Sequence, residues 1–187
     1  LDNTGREIAN NDDLTNSVLT SKDSRLDWTA PADGEFVVSV RDLSSHGGTE
    51  FVYHLVAQPA EPDFVLECDS DKALIGPGSS TAWFVKVTRQ TGFAGDVQLD
   101  VEGLPAGVTA ACARIPAAMT QGSVILTADW DAPMDCANVR VVGRATIPFA
   151  DGCEKHLGRV AMPLQEIYSP GGGRARYPVN MHTVSVM

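Results

Sequence analysis

At 187 residues the chain has room for one large or two modest domains, and its 43% hydrophobic content is enough to build real cores, which argues against wholesale disorder. Against 14 Lys plus Arg stand 24 Asp plus Glu, a formal charge of −10. Such a surface repels nucleic-acid phosphates and anionic membranes, so nucleic acid is not expected as a partner, whereas solubility and divalent cations suit it. No apolar run approaches the roughly 18–20 residues of a membrane helix, so membrane insertion is not expected either, and the polar first residues show no signal peptide.

Residues 1–22 are rich in turn formers, with Thr4-Gly5 reading as a hairpin tip and Arg6 to Ala9 as a short strand leaving it. Asn10, Asn11, Asp12 and Asp13 crowd oxygen-bearing side chains into one loop, and Asp23 or Asp27 could close a calcium sphere around them. The spacing is not that of an EF-hand, and surface Asx-turns account for the same composition without metal. No other cofactor is expected.

Asp23 to Pro59 carries the clearest pattern. Leu26 and Trp28 alternate with charged neighbours, Ala30 to Gly34 is a Pro-Asp-Gly type of turn, and Glu35 to Asp42 places Phe36, Val38 and Val40 on one face. Ser44 to Gly48 loops over. Glu50 to Ala57 then returns with Phe51, Tyr53, Leu55 and Ala57 on one face, and His54 opposite them reads as a cross-strand surface residue. Gln58-Pro59-Ala60-Glu61-Pro62 is a semi-rigid extended boundary.

Beyond it, Phe64–Cys68, Thr81–Arg89, Asp96–Val101, Val108–Ala111, Ser123–Ala128, Val139–Ile147 and Lys155–Met162 read as strands between Gly/Pro turns, with Trp83, Val85 and Val87 opposing Ala82, Phe84 and Lys86. The tail, with Gly171 to Gly173, reads as a glycine-rich linker, and Pro178 to Met187 as a terminal strand. The expected fold is all-β: two tandem β-sandwich domains, residues 1–59 and 60–167, followed by the linker and strand of 168–187.

Two resemblances sharpen this. WTAPADGEFVVSVRD followed by GGTEFVYHL resembles the bacterial pre-peptidase C-terminal domain, a small jelly-roll-like sandwich of exported proteins. That resemblance covers about residues 1–58 and implies an acidic, sometimes calcium-binding loop where Asn10 to Asp13 stand. The family usually has further strands before Thr4-Gly5. Either the fold is an abbreviated version or, as expected because a half-sandwich leaves an open face, the chain is a fragment of a longer polypeptide whose missing strands come from upstream, supplied by a non-covalent partner piece. The second, TRQTGFAGDVQLDVEGLPAGVTA with SVILTADWDAP and VRVVGRA, is similar to bacterial immunoglobulin-like domains, matching at Arg89, Gly92, Phe93, Gly95 and Gly103 to Val108. It implies a fold and a cell-exterior setting, secreted, surface or periplasmic, and no chemistry.

Cys68, Cys112, Cys136 and Cys153 form no C-x-x-C pair, which argues against a zinc or redox centre. Their even number fits two disulfides in an oxidising compartment, buried thiols being the alternative. If strands of the immunoglobulin-like topology simply alternate direction, the bridges are Cys68–Cys136 and Cys112–Cys153.

No enzyme is expected. Neither G-x-S-x-G nor H-E-x-x-H occurs, His46, His54, His156 and His182 are scattered, and Ser44-Ser45-His46 reads as a solvated turn. The expected role is a structural spacer in a multidomain exported protein whose partners are other domains or fragments of the same polypeptide. The alternative is an accessory module that binds polysaccharide or a cell-surface protein and targets an attached enzyme such as a peptidase. For that alternative Trp130, between Asp129 and Asp131, is the one candidate stacking platform.

Overall fold

Runs of β-branched and aromatic residues broken by Gly, Pro and Asx turns favour strands over helices. The computed structural model describes residues 1–16, 19–21, 23–148 and 153–187, and every helix-or-strand element among them is a strand. The chain divides into two compact units, Leu1–Ala60 and Glu61–Met187.

Among the described residues of the first unit the ladder is one antiparallel strand pair, β1 (Leu14–Asn16) against β2 (Leu19–Ser21). The Thr4-Gly5 tip is present. Asp2 accepts from the Thr4 and Arg6 amides at 2.9 and 3.0 Å and from the Thr4 hydroxyl at 2.6 Å, while Gly5 takes φ +81°. The hydroxyl bond, followed by the Arg6 amide, holds the Asp2 carboxyl below the usual carboxylate range. The Asp42 carboxylate likewise collects the Ser44 and His46 amides at 2.9 and 3.0 Å, building the expected loop.

The strands expected over Glu35–Asp42 and Glu50–Ala57 do not form ladders, nor does the short one over Arg6–Ala9. Residue 37 makes one reciprocal backbone pair with Leu1, at 2.8 and 3.0 Å, and stands alone in doing so. Val38, Val52, Tyr53 and Val56 are 69, 90, 74 and 63% exposed, so both faces of the alternating pattern meet solvent. Alternation states which side chains would share a face. A sheet also needs neighbouring strands, and the described residues of this unit supply none here. Among the described residues of 1–59 the ladder is limited to β1 and β2.

The second unit contains β3 (Asp63–Cys68), β4 (Lys72–Ile75), β5 (Ser80–Gln90), β6 (Val97–Glu102), β7 (Val108–Cys112), β8 (Arg114–Ile115), β9 (Gln121–Ala128), β10 (Asp135–Asn138), β11 (Arg140–Pro148), β12 (Glu154–Val160), β13 (Met162–Ser169), β14 (Gly173–Pro178) and β15 (Thr183–Val186). They make a six-stranded sheet in the order β14-β13-β3-β5-β9-β7, a four-stranded sheet β12-β11-β6-β8 and a three-stranded sheet β10-β15-β4. The inward residues obey period two: Trp83, Val85 and Val87 on β5 are 2, 0 and 2% exposed, while Phe84 between them is 48% exposed.

The six- and four-stranded sheets share one core. Phe64, Leu66, Val85, Val97, Leu99, Leu126 and Val141 belong to a single buried cluster. At Gly143 on β11, an added Cβ would stand 2.4 Å from Leu66 Cδ1 and 2.8 Å from Val97 Cγ1, so the close approach of the layers requires glycine there. Arg159 on β12 donates to both carboxylate oxygens of Asp63 on β3, at 2.9 and 3.0 Å, closing one side of this sandwich-like arrangement.

After β3 the chain changes sheets at residues 69–71. The Asp69 amide donates to the Phe84 carbonyl at 3.0 Å and its carboxylate accepts from the Phe84 amide at 2.9 Å, holding the crossover. Released from the six-stranded sheet, β4 pairs in parallel with β15, Lys72 opposite Thr183 through Ile75 opposite Val186.

The expected terminal strand is present as β15, but the glycines before it do not form a linker. Gly171 and Gly172, at φ +100° and +91°, make the turn between β13 and β14, and β15 is the central strand of its sheet. After Trp130 the chain enters β10, antiparallel to β15.

None of the four cysteines is in a disulfide. Cys68 points into the core at 0% exposure, whereas Cys136 lies exposed in a different sheet, where its sulfur accepts from the Ser185 hydroxyl at 3.2 Å. Cys112 ends β7 and Cys153 precedes β12, strands that close opposite edges of the two large sheets. The expected pairing failed because strand direction does not simply alternate: β4 crosses over, and β3 and β4 each have a parallel neighbour.

Candidate functional site

The turn chemistry of the second unit is held by Arg89. Its guanidinium donates to the Gly95 carbonyl at 3.1 and 3.2 Å, to Pro116 at 2.9 Å and to Met119 at 2.6 Å, and lies 6.0 Å over the Phe93 ring. One planar fork thus satisfies three carbonyls from two loops. The Arg-x-x-Gly-Phe-x-Gly run therefore performs a structural task, with Gly95 giving room to the Phe93 ring, 2.8 Å from where its Cβ would be.

Three connections converge around Trp130. Gly76–Ser79 closes on itself through the Ser79 amide and hydroxyl, both donating to the Gly76 carbonyl, at 3.0 and 2.6 Å. The Gly78 amide donates to the carbonyls of Ala128 and Asp129 at 3.0 and 3.1 Å. The Asp129 amide reaches the Gly107 carbonyl at 2.8 Å, and the buried Ala132 sits where a Gly107 Cβ would be, 2.9 Å away. On this scaffold Trp130 is 85% exposed, and its ring lies over Gly78, whose φ is +70°. Asp129 and Asp131 on either side of it are exposed too. The other two tryptophans differ: Trp83 is core, and Trp28, 39% exposed, packs edge-on against Phe36 at 4.7 Å.

A shallow groove of about 440 Å³ runs over the four-stranded sheet, lined by Asp96, Gln98, Arg114, Arg144, Thr146 and His156 among others. Its cations are already spent. Arg114 pairs with Asp96 at 3.1 Å, and Arg144 with Asp100 at 2.8 Å and Glu102 at 2.7 Å, the Asp100 bond holding the guanidinium in its charged form. Thr146 and His156 are bonded at 3.1 Å.

Of the residues expected around calcium, Asn10 donates to Glu7 at 2.9 Å, Asn11 donates to the Arg25 carbonyl and Arg25 pairs with Asp27 at 3.2 Å. The Ser24 hydroxyl adds a bond to the Asn11 carbonyl at 2.7 Å, so the loop containing Asn11, Asp12 and Asp13 meets the stretch after Asp23. Among the described residues no three His, Cys, Asp or Glu side chains gather to hold a metal ion.

His182 carried no signal in the sequence. It is 4% exposed, its ring centroid is 4.0 Å from that of Trp83, and neither ring nitrogen has a hydrogen-bond partner. Burial pulls its pKa down to about 4, against a smaller opposing pull from Asp71. Burial also pushes the Cys68 thiol up to about 12 and raises Cys112, which keeps both sulfurs unreactive. Comparison with family models, with curated proteins and with solved structures finds no match.

Proposed function

We propose that the chain is a non-catalytic structural pair of modules in an exported multidomain protein, with the second unit acting as a serial spacer that bears tension from end to end. The observation that supports this is the parallel pairing of β4 with β15. From Asp63 opposite Gln90 to Ile75 beside the turn into β5, the chain traverses the unit from one pole to the other, and β15 leaves it at that second pole, where the Met187 amide donates to the Ile75 carbonyl at 3.1 Å. Tension applied at Glu61 and Met187 therefore loads the β4–β15 hydrogen bonds together, in shear. A hairpin pulled from its open end would instead lose them one at a time.

The strand order β3-β5-β9-β7 facing β12-β11-β6 supports an immunoglobulin-like reading of this unit, with β4 as the split first strand. The two exposed apolar runs of the first unit support the reading that its sandwich takes further strands from another segment or fragment of the same polypeptide. The exported setting rests on the two family resemblances alone.

Single-molecule stretching of the full chain between its termini tests the spacer role. The expected trace has one abrupt event that releases roughly 400 Å, at about 3.3–3.6 Å per residue over Glu61–Met187. Ser185→Pro removes an amide from the central strand of the three-stranded sheet and should lower that force sharply. Gradual low-force extension of the unmutated chain would overturn the proposal.

A further inference from the structure

Trp130 has a geometry that folding alone does not require. An indole left 85% exposed keeps a large apolar surface in water, and tryptophan is usually well buried. One face of this ring is backed by protein: a Cβ on Gly78 would stand 2.5, 2.6 and 2.7 Å from Cδ2, Cε3 and Cε2, so the fused-ring centre rests directly on the glycine. The opposite face is open. The loop beneath it is fixed by the bonds from Gly78 to Ala128 and Asp129 and from Asp129 to Gly107, and is pinned by buried Ala132. The ring is therefore presented already ordered, and a ligand would not have to immobilise it.

We infer that Trp130 is the stacking platform of a binding site for a neutral pyranose unit of an oligosaccharide. A pyranose whose substituents are equatorial has a flat C–H face that matches the negative face of an indole in size and polarity. Asp129 and Asp131, exposed on either side, are acceptor-only groups suited to the hydroxyls at the rim of such a ring. The same carboxylates repel uronic acids and sulfated sugars, as does the net charge of −10. The rival occupant is a protein, since Met134 is 84% exposed on the same loop. Protein hot spots sit at the desolvated centre of an apolar patch, whereas both sequence neighbours of this ring are exposed carboxylates. The site stands on the second unit's surface and does not depend on the spacer role.

Indole N–H resonances of the 187-residue chain, followed by NMR during titration with cellohexaose, hexa-N-acetylchitohexaose and oligogalacturonate, provide the test. The expected result is a saturable shift confined to the Trp130 resonance with one or both neutral hexasaccharides, a dissociation constant of about 1 mM and no response to oligogalacturonate. Trp130→Ala, at an exposed position that leaves the core untouched, should abolish binding. Gly78→Ala should weaken it about tenfold by lifting the ring, with a thermal melt on the same sample to separate loss of binding from loss of fold. Absence of a saturable Trp130 shift with both neutral sugars overturns the proposal. So does binding that survives Trp130→Ala, an equal response to oligogalacturonate, or Trp130-dependent self-association without a sugar response, which would assign the platform to protein contact.

Discussion

At His182 a titratable ring is buried with both nitrogens unsatisfied, a rare arrangement that ties stability to proton binding. The His182 carbonyl accepts from the Val139 amide at 2.8 Å and the next amide, that of Thr183, donates to the Asp71 carbonyl at 3.0 Å, so the ring sits at the start of β15. Its pKa is lowered by burial from 6.5 to about 4 in the folded chain. The unfolded chain therefore takes up a proton first as pH falls. The neutral ring's full contribution is present above pH 6.5 and is lost progressively down to about pH 4, below which both states are protonated. At about 1.4 kcal/mol per pKa unit this amounts to a loss of about 3–4 kcal/mol. Urea midpoints measured across that window should fall steeply for the natural chain and much less for His182→Phe, which keeps an aromatic partner for Trp83. Parallel pH profiles would show that the ring is not buried neutral.

The first unit's two apolar runs make the corresponding test for elements. Residues 35–42 and 50–57 have strong period-two alternation but no ladder, whereas β5 is paired on both sides, by β3 and β9. Amide exchange should therefore be fast through 35–42 and 50–57, the Val37 and Phe51 amides excepted, and slowest at Val85 and Val87. Protection across 35–57 comparable to β5 would mean that these segments already have partner strands. What was legible in the sequence follows the same physics. The strands β5, β6, β9 and β11 announce themselves because alternation and glycine-marked turns are local properties. The strands β4, β10 and β14 do not, since KALI, DCAN and GRARYP are short or polar and β4 and β10 owe their pairing to β15, far along the chain. The same non-locality hid the true places of the cysteines. Trp130 could be read as a loop aromatic, but its support by Gly78 arises only when the turn before β5 folds onto the end of β9.

For the whole molecule the decisive quantity is how much of the chain takes part in one cooperative transition. The buried core cluster is built of second-unit residues, from Phe64 to Val186. Among its described residues the first unit has an unladdered backbone outside the β1–β2 pair, and it exposes Leu43, Val52 and Tyr53 at 85, 90 and 74%. Unfolding enthalpy near 60 °C scales as roughly 0.7 kcal/mol per residue, so Glu61–Met187 unfolding alone should absorb about 90 kcal/mol, against about 130 kcal/mol for the full chain. Calorimetry is expected to give one two-state transition close to the lower figure. A chain trimmed to Glu61–Met187 should retain its midpoint and enthalpy. Reducing agent should leave both unchanged, because no disulfide constrains the unfolded state. An enthalpy near the higher value would require residues 1–60 to melt as packed structure, and with it a core that their exposed side chains do not form.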